Sequence, residues 1–398
     1  MSQGPLSVDQ ALERILAGVE AMPVERVDIG SAHGRALAEP LSAQHTQPPF
    51  NASAMDGYAV RGGDVVSLPA RLRVIGESAA GRGYDGAIAA GECVRIFTGA
   101  PVPESADTIV IQENTTREGA VVVVGAGELD SDHIRKRGFD FARGQCLLEA
   151  NRVLNAREIM LAASMGHGSV PVRIRPRVAL LATGDELVLP GTSPSRDQIV
   201  CSNPFGIAAM VTGAGGNPSF QGIAKDTREA LHAKLDAARE ADIVVTIGGA
   251  SVGDHDLVGP VLAERGMKLE FWKIAMRPGK PLMFGTLDGQ RVMGLPGNPV
   301  SSMICARVFL VPLIRRLLGL PETDFARLTA RLDVDMPANG PRQHYARAVL
   351  EGGKVRPVAS QDSSLIAALA RSNALIVQPP HSPRWPAGTD VEVLLLDF

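Results

Sequence analysis

One stretch of the sequence combines the residue types needed to hold a phosphate and a cation. It runs from Thr246 to Asp256 and follows the apolar residues Ile243–Ile247, which predict a buried strand. Gly248 and Gly249 end that strand, because glycine accepts backbone angles and close approaches that a Cβ would block. The stretch adds a hydroxyl, a third glycine and two carboxylates, from Ser251, Gly253, Asp254 and Asp256. Loop N–H groups can hold a phosphate and the carboxylates a divalent cation beside it, so we expect an anion site here.

A second glycine turn, Gly294-Leu-Pro-Gly-Asn-Pro-Val-Ser301, repeats this strand-loop-helix pattern. Asn298 is a favourable helix N-cap and Pro299 suits the first helical position. Because the N-terminus of a helix attracts anions, this turn is predicted to face the same ligand as the first. The residues expected to bind it are Gly248, Gly249, Ser251 and Gly253 of the first turn and Pro296, Gly297 and Asn298 of the second.

Three carboxylates, Glu186, Asp226 and Asp256, each follow a predicted strand. In a parallel sheet the carboxyl ends of the strands lie at one edge, where three acids repel each other unless a cation or protons intervene. We therefore expect a divalent metal at this edge, bound mainly through water and substrate phosphate. The alternative is that each acid caps the helix after it, which is common for one acid but explains three less well.

A basic loop lies between the two glycine turns. Lys273-Ile-Ala-Met-Arg-Pro-Gly-Lys-Pro281 places the cations Lys273, Arg277 and Lys280 in a segment kinked by two prolines and a glycine. Basic residues most often form a solvated face. The position between the turns favours a grip on an oxyanion instead.

The elements around these residues alternate between strand and helix. This alternation predicts a parallel sheet with helices on both faces and ligands beyond the carboxyl ends of the strands. The predicted strands are 178–181, 218–224, 243–247 and 268–272, and the predicted helices are 202–211, 227–239 and 298–318. Asp288-Gly289 is expected to turn a hairpin.

Other parts of the chain follow different patterns. A capping box of Ser7 and Gln10 opens an amphipathic helix, which we expect to pack on a neighbouring domain or subunit. Short β-branched segments punctuated by glycine predict a compact β domain between about 60 and 148, followed by a helix from Asn155 to Met165. The sequence after Pro321 predicts a small second β domain with strands 326–334, 345–351, 354–358, 374–378 and 391–396 and a helix over 364–371.

Composition excludes several classes of protein. The chain has 398 residues, a formal charge of −3, 42 glycines, 28 prolines and 4% aromatic residues, which indicates a globular enzyme of two to four domains rather than a fibrous chain or a nucleic-acid binder. The four cysteines show no spacing typical of zinc ligands or disulfide frameworks. No signal peptide or membrane span is evident, so a cytoplasmic location is expected.

Six motifs together closely resemble the molybdopterin molybdenumtransferases, a family that includes the C-terminal domain of gephyrin. They occur in the family's order over nearly the whole chain. The motifs are Asn51-Ala-Ser-Ala-Met-Asp-Gly-Tyr-Ala, Thr98-Gly-Ala-Pro-Val-Pro, Thr183-Gly-Asp-Glu-Leu, Gly248-Gly-Ala-Ser-Val-Gly, Arg277-Pro-Gly-Lys-Pro and Leu295-Pro-Gly-Asn-Pro-Val-Ser. The Gly248 motif by itself is less specific, since molybdopterin adenylyltransferases share it.

The resemblance implies a multidomain α/β plus β protein. Its parts are an extended domain (1–46 and 146–176), a β-rich domain (47–145), a central α/β parallel-sheet domain of the molybdopterin-binding type (177–320) and a C-terminal β-barrel (321–398). It also implies a homodimer that uses adenylylated molybdopterin, molybdate and Mg²⁺, releases AMP and produces molybdenum cofactor. The adenylyltransferase and recipient molybdoenzymes are implied partners.

The resemblance also implies roles for single residues. Composition alone makes Asp56 a turn former and Thr98 a turn cap, whereas the family pattern makes both functional and we infer that they reach the site of the other subunit. It assigns metal and pyrophosphate chemistry to Glu186, Asp226 and Asp256. It places Lys273, Arg277, Lys280, Ser301, Arg347 and Ser363 on the molybdate and substrate side.

Two of these positions depart from a simple match. Arg277 stands where the family often has lysine, which keeps the charge but presents a planar fork to an oxyanion. Ser364 fits the family pattern nearly as well as Ser363.

Two other functions are compatible with parts of the sequence. Adenylyl transfer from ATP to the pterin would predict ATP consumption. A non-catalytic scaffold of the gephyrin type, in which the C-terminal region captures a partner peptide, would not need the acidic residues, and the low aromatic content disfavours it.

Overall fold

The computed structural model describes residues 4–125, 133–249, 257–321 and 327–396. Within these residues the chain forms three six-stranded sheets, a four-stranded sheet and several two-stranded pairs. The predicted multidomain class, with a central α/β domain, β-rich regions and a C-terminal barrel, is confirmed.

The first elements of the chain belong to two parts of the molecule: the helix packs in the core of the α/β domain, and two of the strands join the four-stranded sheet. They are α1 (Val8–Leu16), β1 (Val24–Asp28), β2 (Ala36–Leu37) and β3 (Leu41–Ser42), with a 3₁₀ turn at Ile29–Ser31. The predicted capping box at Ser7 and Gln10 is present in both directions. The buried face of α1 joins the hydrophobic core of the α/β domain, so this helix packs on a neighbouring domain, one of the two outcomes expected from the sequence.

The β-rich domain is a six-stranded sheet. Its strands are β5 (Gly57–Val60), β6 (Ala70–Ser78), β7 (Glu92–Ile96), β8 (Thr108–Ile111), β9 (Thr115–Glu118) and β10 (Val121–Val124), and β4 (Ala52–Ser53) pairs with β11 (Ile134–Arg135) beside them. The strand order is β8-β5-β7-β6-β10-β9, and 3₁₀ turns lie at Gly62–Val65 and Gln112–Asn114.

The chain then returns to its first strands. The elements are β12 (Cys146–Leu148), β13 (Arg152–Val153), α2 (Ala156–Ser164) and β14 (Ser169–Arg173). The order β1-β14-β2-β13 joins segments from before and after the β-rich domain in one sheet. Asn155 and Glu158 form a capping box at the start of α2, where the sequence places a helix.

In the described residues between 177 and 317, the α/β domain has fourteen α-helices and β-strands. Its first elements are β15 (Arg177–Thr183), β16 (Leu187–Val188), β17 (Ile199–Val200), α3 (Asn203–Gly213), β18 (Asn217–Ala224), α4 (Arg228–Ala237), β19 (Ile243–Ile247) and α5 (Val258–Glu264). They are followed by β20 (Lys268–Trp272), β21 (Met276–Arg277), β22 (Met283–Leu287), β23 (Gln290–Leu295), α6 (Pro299–Cys305) and α7 (Val311–Leu317).

The central sheet has the order β18-β15-β19-β23-β22-β20. Its first four strands are parallel, whereas β22 and β20 are antiparallel to their neighbours. The predicted hairpin at Asp288-Gly289 explains this edge, because both residues have positive φ angles and a two-residue turn can only return the chain antiparallel.

Helices cover both faces of the sheet. α3, α6 and α7 pack on one face, in the same core as α1, and α4 and α5 pack on the other. α6 and α7 are joined through a π-helical segment, Ala306–Leu310, and almost every residue of this run is buried. Burial on most sides is what the apolar stretch 298–318 predicts.

The C-terminal domain is a closed barrel. Its elements are β24 (Arg327–Leu332), β25 (Gln343–Glu351), β26 (Lys354–Pro357), α8 (Ile366–Ala370), β27 (Ala374–Gln378) and β28 (Asp390–Leu395). The order β25-β26-β24-β28-β27 closes because β27 pairs back to β25. β21 adds to β25 from the α/β domain, with Arg277 opposite His344.

No helix in the described ranges has the length and apolar character needed to cross a bilayer. The cytoplasmic location stays a prediction.

His344 should make the stability of the protein fall in mild acid. Its side chain is 8% exposed, and burial, together with the charges of Arg277, Arg342 and Arg347, lowers its pKa to about 4. The unfolded chain therefore takes up a proton near pH 6.5 that the folded chain takes up only near pH 4. The free energy of unfolding should decrease by roughly 2 to 3 kcal/mol as the pH falls through this window.

Chemical denaturation of the wild type and His344→Gln at several pH values checks this. The variant should lose most of the decrease, whereas His381→Gln, at an exposed loop position, should keep it. Parallel pH profiles for the wild type and His344→Gln would contradict the assignment.

Candidate functional site

A cavity of about 770 Å³ lies at the carboxyl edge of the central sheet. It is formed where β15, β18, β19 and β23 end, which is where ligands bind in sheets of this type. Its wall includes Thr183, Gly184, Glu186, Asp226, Gly248, Gly249, Pro296, Gly297 and Asn298. The structure therefore brings both glycine turns and two of the three predicted acids to one cavity.

The two glycine turns touch each other. A Cβ placed on Gly297 would lie 3.6 Å from the Cα of Gly248, and one placed on Gly248 would lie 2.9 Å from the carbonyl oxygen of Thr183. Gly248 and Gly249 have φ angles of +92° and +60°, which residues with a side chain rarely adopt. The N–H of Gly248 donates to the carbonyl of Leu295 at 3.1 Å, so this N–H serves the turn rather than a ligand.

Glu186 and Asp226 both line the cavity. The carboxylate of Glu186 covers Gly184, where a Cβ would approach its Oε2 to 2.3 Å. Asp185 and Asp226 each accept the other's backbone N–H at 3.3 Å, which fixes the ends of β15 and β18 together. Burial raises the pKa of the nearby Cys201 thiol, and the negative charge of Glu186 raises it further.

Part of the first turn lies outside the described residues. Ser251, Gly253, Asp254 and Asp256 fall in the range 250–256, so the structure does not show whether Asp256 joins the other two acids. Among the described residues, no group of three His, Cys, Asp or Glu side chains is placed to hold a metal ion. The metal-binding role of Glu186, Asp226 and Asp256 stays a prediction.

The start of α6 is held by the C-terminal barrel. Asn298 occupies the N-cap position, but its side chain makes no capping bond and instead donates to Ser363 Oγ at 3.1 Å. The carbonyl of Ser363 accepts the N–H of Val300, at 3.1 Å. Ser364 lines the cavity, while Ser301 is only 5% exposed and is not among the lining residues. Ser363 thus contacts the second turn and Ser364 the cavity.

The basic loop approaches the cavity through Pro281, which lines it. Arg277 and Lys280 are exposed, and Lys273 is half-buried, with its ammonium 5.7 Å from the ring centre of Trp272. None of the three cations is among the described residues that line the cavity. Lys273 has a φ of +77°, a costly conformation for a residue with a side chain.

Arg347 is buried beneath a loop of the barrel and is 1% exposed. Its guanidinium donates to the carbonyls of Leu365, Ser360 and Asp362 at 3.0, 3.1 and 2.8 Å. The guanidinium of Arg347 is therefore bound by backbone carbonyls of its own chain.

Asp56 and Thr98 form a compact pair in the β-rich domain. Both the N–H and the hydroxyl of Thr98 donate to Asp56 Oδ1 at 2.8 Å. These two bonds, with the charge of Arg95, hold the pKa of Asp56 below its ordinary value. Within their own chain neither residue belongs to the described cavity wall, so their functional role stays a prediction.

The sequence did not single out the apolar wall of the cavity. Leu187, Ile199 and Val200 line it, and they belong to the short parallel pair β16 and β17. Asn203 also lines it and donates to the carbonyl of Gly297 at 2.7 Å. The signals for this wall were Leu187, the last residue of the Thr183 motif, and the start of a predicted helix at Ser202, because two-residue strands have no readable periodicity.

Comparison with solved structures defines the class of protein. The molybdopterin biosynthesis MoeA protein from Pyrococcus horikosii is 30% identical, with a TM-score of 0.86 over 99% of this chain and 100% of that chain. Three family models match in order: the MoeA N-terminal region (domain I and II) at 6–166, the probable molybdopterin binding domain at 179–316 and the MoeA C-terminal region (domain IV) at 329–396. Fold and site together define a MoeA-like protein built around a molybdopterin-binding domain.

Relatives with assigned names give the family. Molybdopterin molybdenumtransferases from Nostoc sp. and Haemophilus influenzae are 37% and 32% identical, covering 94% and 98% of this chain and 88% and 98% of their own lengths. Molybdopterin molybdenumtransferase 2 from Mycobacterium tuberculosis is 33% identical over 92% of this chain and 94% of its own length. The chain belongs to the molybdopterin molybdenumtransferase family, an enzyme family of molybdenum cofactor biosynthesis, and the predicted family and enzyme class are confirmed.

Gly248→Ala should destabilise the protein. The new methyl group would meet the Thr183 carbonyl at 2.9 Å and the positive φ would be strained, so we expect a loss of about 1 to 3 kcal/mol in the free energy of unfolding. Gly259→Ala in α5 is the matched control, because apart from its chain neighbours and the backbone of its own helix nothing lies within 4 Å of the added Cβ. Chemical denaturation measures the free energy of unfolding of both variants. A Gly248→Ala variant as stable as the wild type would show that the turn tolerates a side chain.

Proposed function

We propose that the protein inserts molybdate into adenylylated molybdopterin with release of AMP, forming molybdenum cofactor. The observation that carries this proposal is the single cavity that joins two glycine turns with Glu186 and Asp226. Membership in the family supports the reaction class, and the volume of the cavity, about 770 Å³, suits a ligand of this size.

In this proposal the phosphoanhydride of the substrate lies against the two turns. Glycine at 248, 249 and 297 lets the two turns pack against Thr183, Val258 and each other, and all three residues line the cavity, where the backbone can meet the phosphate oxygens. The apolar wall of Leu187, Ile199 and Val200 excludes water from one side of the ligand. Exclusion of water strengthens every charge interaction within the cavity.

Mg²⁺ fits the residues that are present. Glu186 and Asp226 supply carboxylate oxygens to the lining of the cavity, and Mg²⁺ typically takes one or two carboxylates and completes its shell with water and substrate phosphate. When bound there, Mg²⁺ would neutralise charge on the phosphoanhydride oxygens. Glu186 and Asp226 would hold it, with Asp256 as the third predicted ligand.

Molybdate binds, in our proposal, to the basic loop. Lys280 is exposed and adjoins Pro281, which lines the cavity, and Arg277 is exposed in the same loop, so we place an oxyanion held by them at the rim of the cavity. Lys273, whose backbone lies in the left-handed region, adds a third positive charge to the loop. Arg277 presents two parallel donors to a tetrahedral oxyanion, whereas a lysine would present a point charge.

We further propose a cytoplasmic homodimer in which Asp56 and Thr98 complete the cavity of the partner subunit. Support comes from their position in a different domain, away from the cavity wall of their own chain. The low pKa of Asp56 keeps its carboxylate charged. The adenylyltransferase that supplies the substrate and the molybdoenzymes that receive the product are the proposed partners.

Removing one acid of the cavity should stop the reaction while leaving the fold intact. Glu186→Gln should lower the rate of AMP release from adenylylated molybdopterin by about 100-fold or more, because charge stabilisation is lost at the phosphoanhydride. Purified protein, molybdate and Mg²⁺ are incubated without ATP, and AMP is measured together with reconstitution of a molybdenum-free enzyme. Glu229→Gln, on the exposed first turn of α4, is the control and should behave as wild type.

Two outcomes would contradict the proposed reaction. Wild-type protein that releases no AMP under these conditions, or that consumes ATP to make the adenylylated pterin, would exclude it. A Glu186→Gln variant with unchanged activity would exclude the role of that acid.

Mixing two inactive variants tests the shared site. Asp56→Asn and Glu186→Gln are coexpressed with different affinity tags. If Asp56 serves the partner's cavity, mixed dimers contain one intact site, and random pairing restores about a quarter of wild-type activity. If Asp56 serves its own chain, no activity returns.

A further inference from the structure

The C-terminal barrel supplies part of the wall of the cavity through one loop, residues 360–365. Ser364 lines the cavity, and Ser363 bonds both Asn298 and the N–H of Val300 at the start of α6. Asp362 fixes the end of the loop, because its Oδ1 accepts the N–H and the hydroxyl of Ser364 at 2.9 and 2.7 Å. The position of both serines thus depends on what holds this loop to the barrel.

Arg347 holds the loop from below. It lies on β25, and its guanidinium donates to three carbonyls of the loop, those of Ser360, Asp362 and Leu365. Since both terminal nitrogens are engaged by the backbone and the side chain is 1% exposed, Arg347 acts on the cavity through the loop. The family resemblance implies that Arg347 acts on the molybdate side of the site. In this geometry Arg347 influences that site indirectly, through the position of the loop.

Gln361 closes the loop on the backbone of Arg347. Its Oε1 accepts the N–H of Arg347 at 2.9 Å, and its Nε2 donates to the carbonyls of Arg347 and Val358 at 2.9 and 3.2 Å. The side-chain amide therefore pairs with one residue of β25 as a neighbouring strand would. This pairing needs a donor and an acceptor on one side chain, which an amide has and a carboxylate or thioether lacks.

We propose that Gln361 is a positioning residue for the transfer reaction. Together with Arg347 it clamps the loop 360–365, so that Ser363 secures the second glycine turn and Ser364 faces the pterin substrate. The proposal rests on the proposed function for its substrate. Gln361 itself touches neither substrate nor reacting atoms.

The chain contains a matched control for this clamp. Asn373 pairs with the backbone of Leu350 on the same strand in the same manner, with Oδ1 accepting at 2.7 Å and Nδ2 donating at 2.9 Å. Neither residue lines the cavity within the described part of the chain. Gln361→Met and Asn373→Leu therefore remove the same kind of bonds, one set below the cavity loop and one set away from it.

The test is a double-mutant cycle on the full-length protein. The Kd of adenylylated molybdopterin, and the KM and kcat of AMP release, are measured for Gln361→Met, Ser363→Ala/Ser364→Ala and the triple variant. Gln361→Met should raise Kd and KM about tenfold with little change in kcat, because the loss of a few hydrogen bonds misplaces a binding wall and not the charges. In the background without the two serine hydroxyls, Gln361→Met should have almost no further effect on Kd.

The other outcomes overturn the clamp. Additive effects of Gln361→Met and the serine substitutions on Kd, or an equal rise in Kd for Asn373→Leu, would show that Gln361 has only a general structural role. An unchanged Kd for Gln361→Met would show that Gln361 does not position the cavity loop. Wild-type protein that binds the pterin but releases no AMP would refute the proposed function, and the cycle on Kd would then still decide for or against the clamp.

Discussion

The absence of side chains at two adjoining turns is the constraint on which the site depends. Gly248 lies against the Thr183 carbonyl and Gly297 lies against Gly248, so the ends of β15, β19 and β23 meet without any Cβ between them. Parallel strands bring these turns to one edge, and the apolar interior of the sheet keeps that edge rigid. Glycine at these positions lets the strand ends close on one another at the edge where the cavity lies.

The cavity also belongs to more than one domain. The barrel contributes Ser364 to the cavity wall and Ser363 to the second turn, and its strand β25 pairs with the basic loop through Arg277 and His344. One barrel strand thus contacts both the predicted oxyanion grip and, through Arg347, the serine loop. A shift of the barrel relative to the sheet would change both, which couples two parts of the proposed site that are distant in sequence.

Much of the fold could be read from local patterns. Capping boxes at Ser7 and Asn155 begin helices where the sequence places them, and the turn at Asp288-Gly289 forms the expected hairpin. The two-residue strands β16 and β17 could not be predicted, because so few residues carry no periodicity, and their apolar wall was missed with them. The hairpin accounts for the antiparallel pairing of β22 with β23, but the pairing of β20 with β22 depends on contacts between strands that alternation does not specify.

The sequence by itself determined the family, the fold class and the presence of both glycine turns with Glu186 and Asp226 beside strand ends, because these depend on local backbone preferences and on short motifs. Only the tertiary structure decided that Asn298 bonds Ser363 rather than capping its own helix, and that Arg347 is engaged by three carbonyls of a loop. Hydrogen bonds between distant segments are decided by how the domains pack. A side chain whose donors could bind an oxyanion binds buried carbonyls instead when packing places the carbonyls beside it and excludes water.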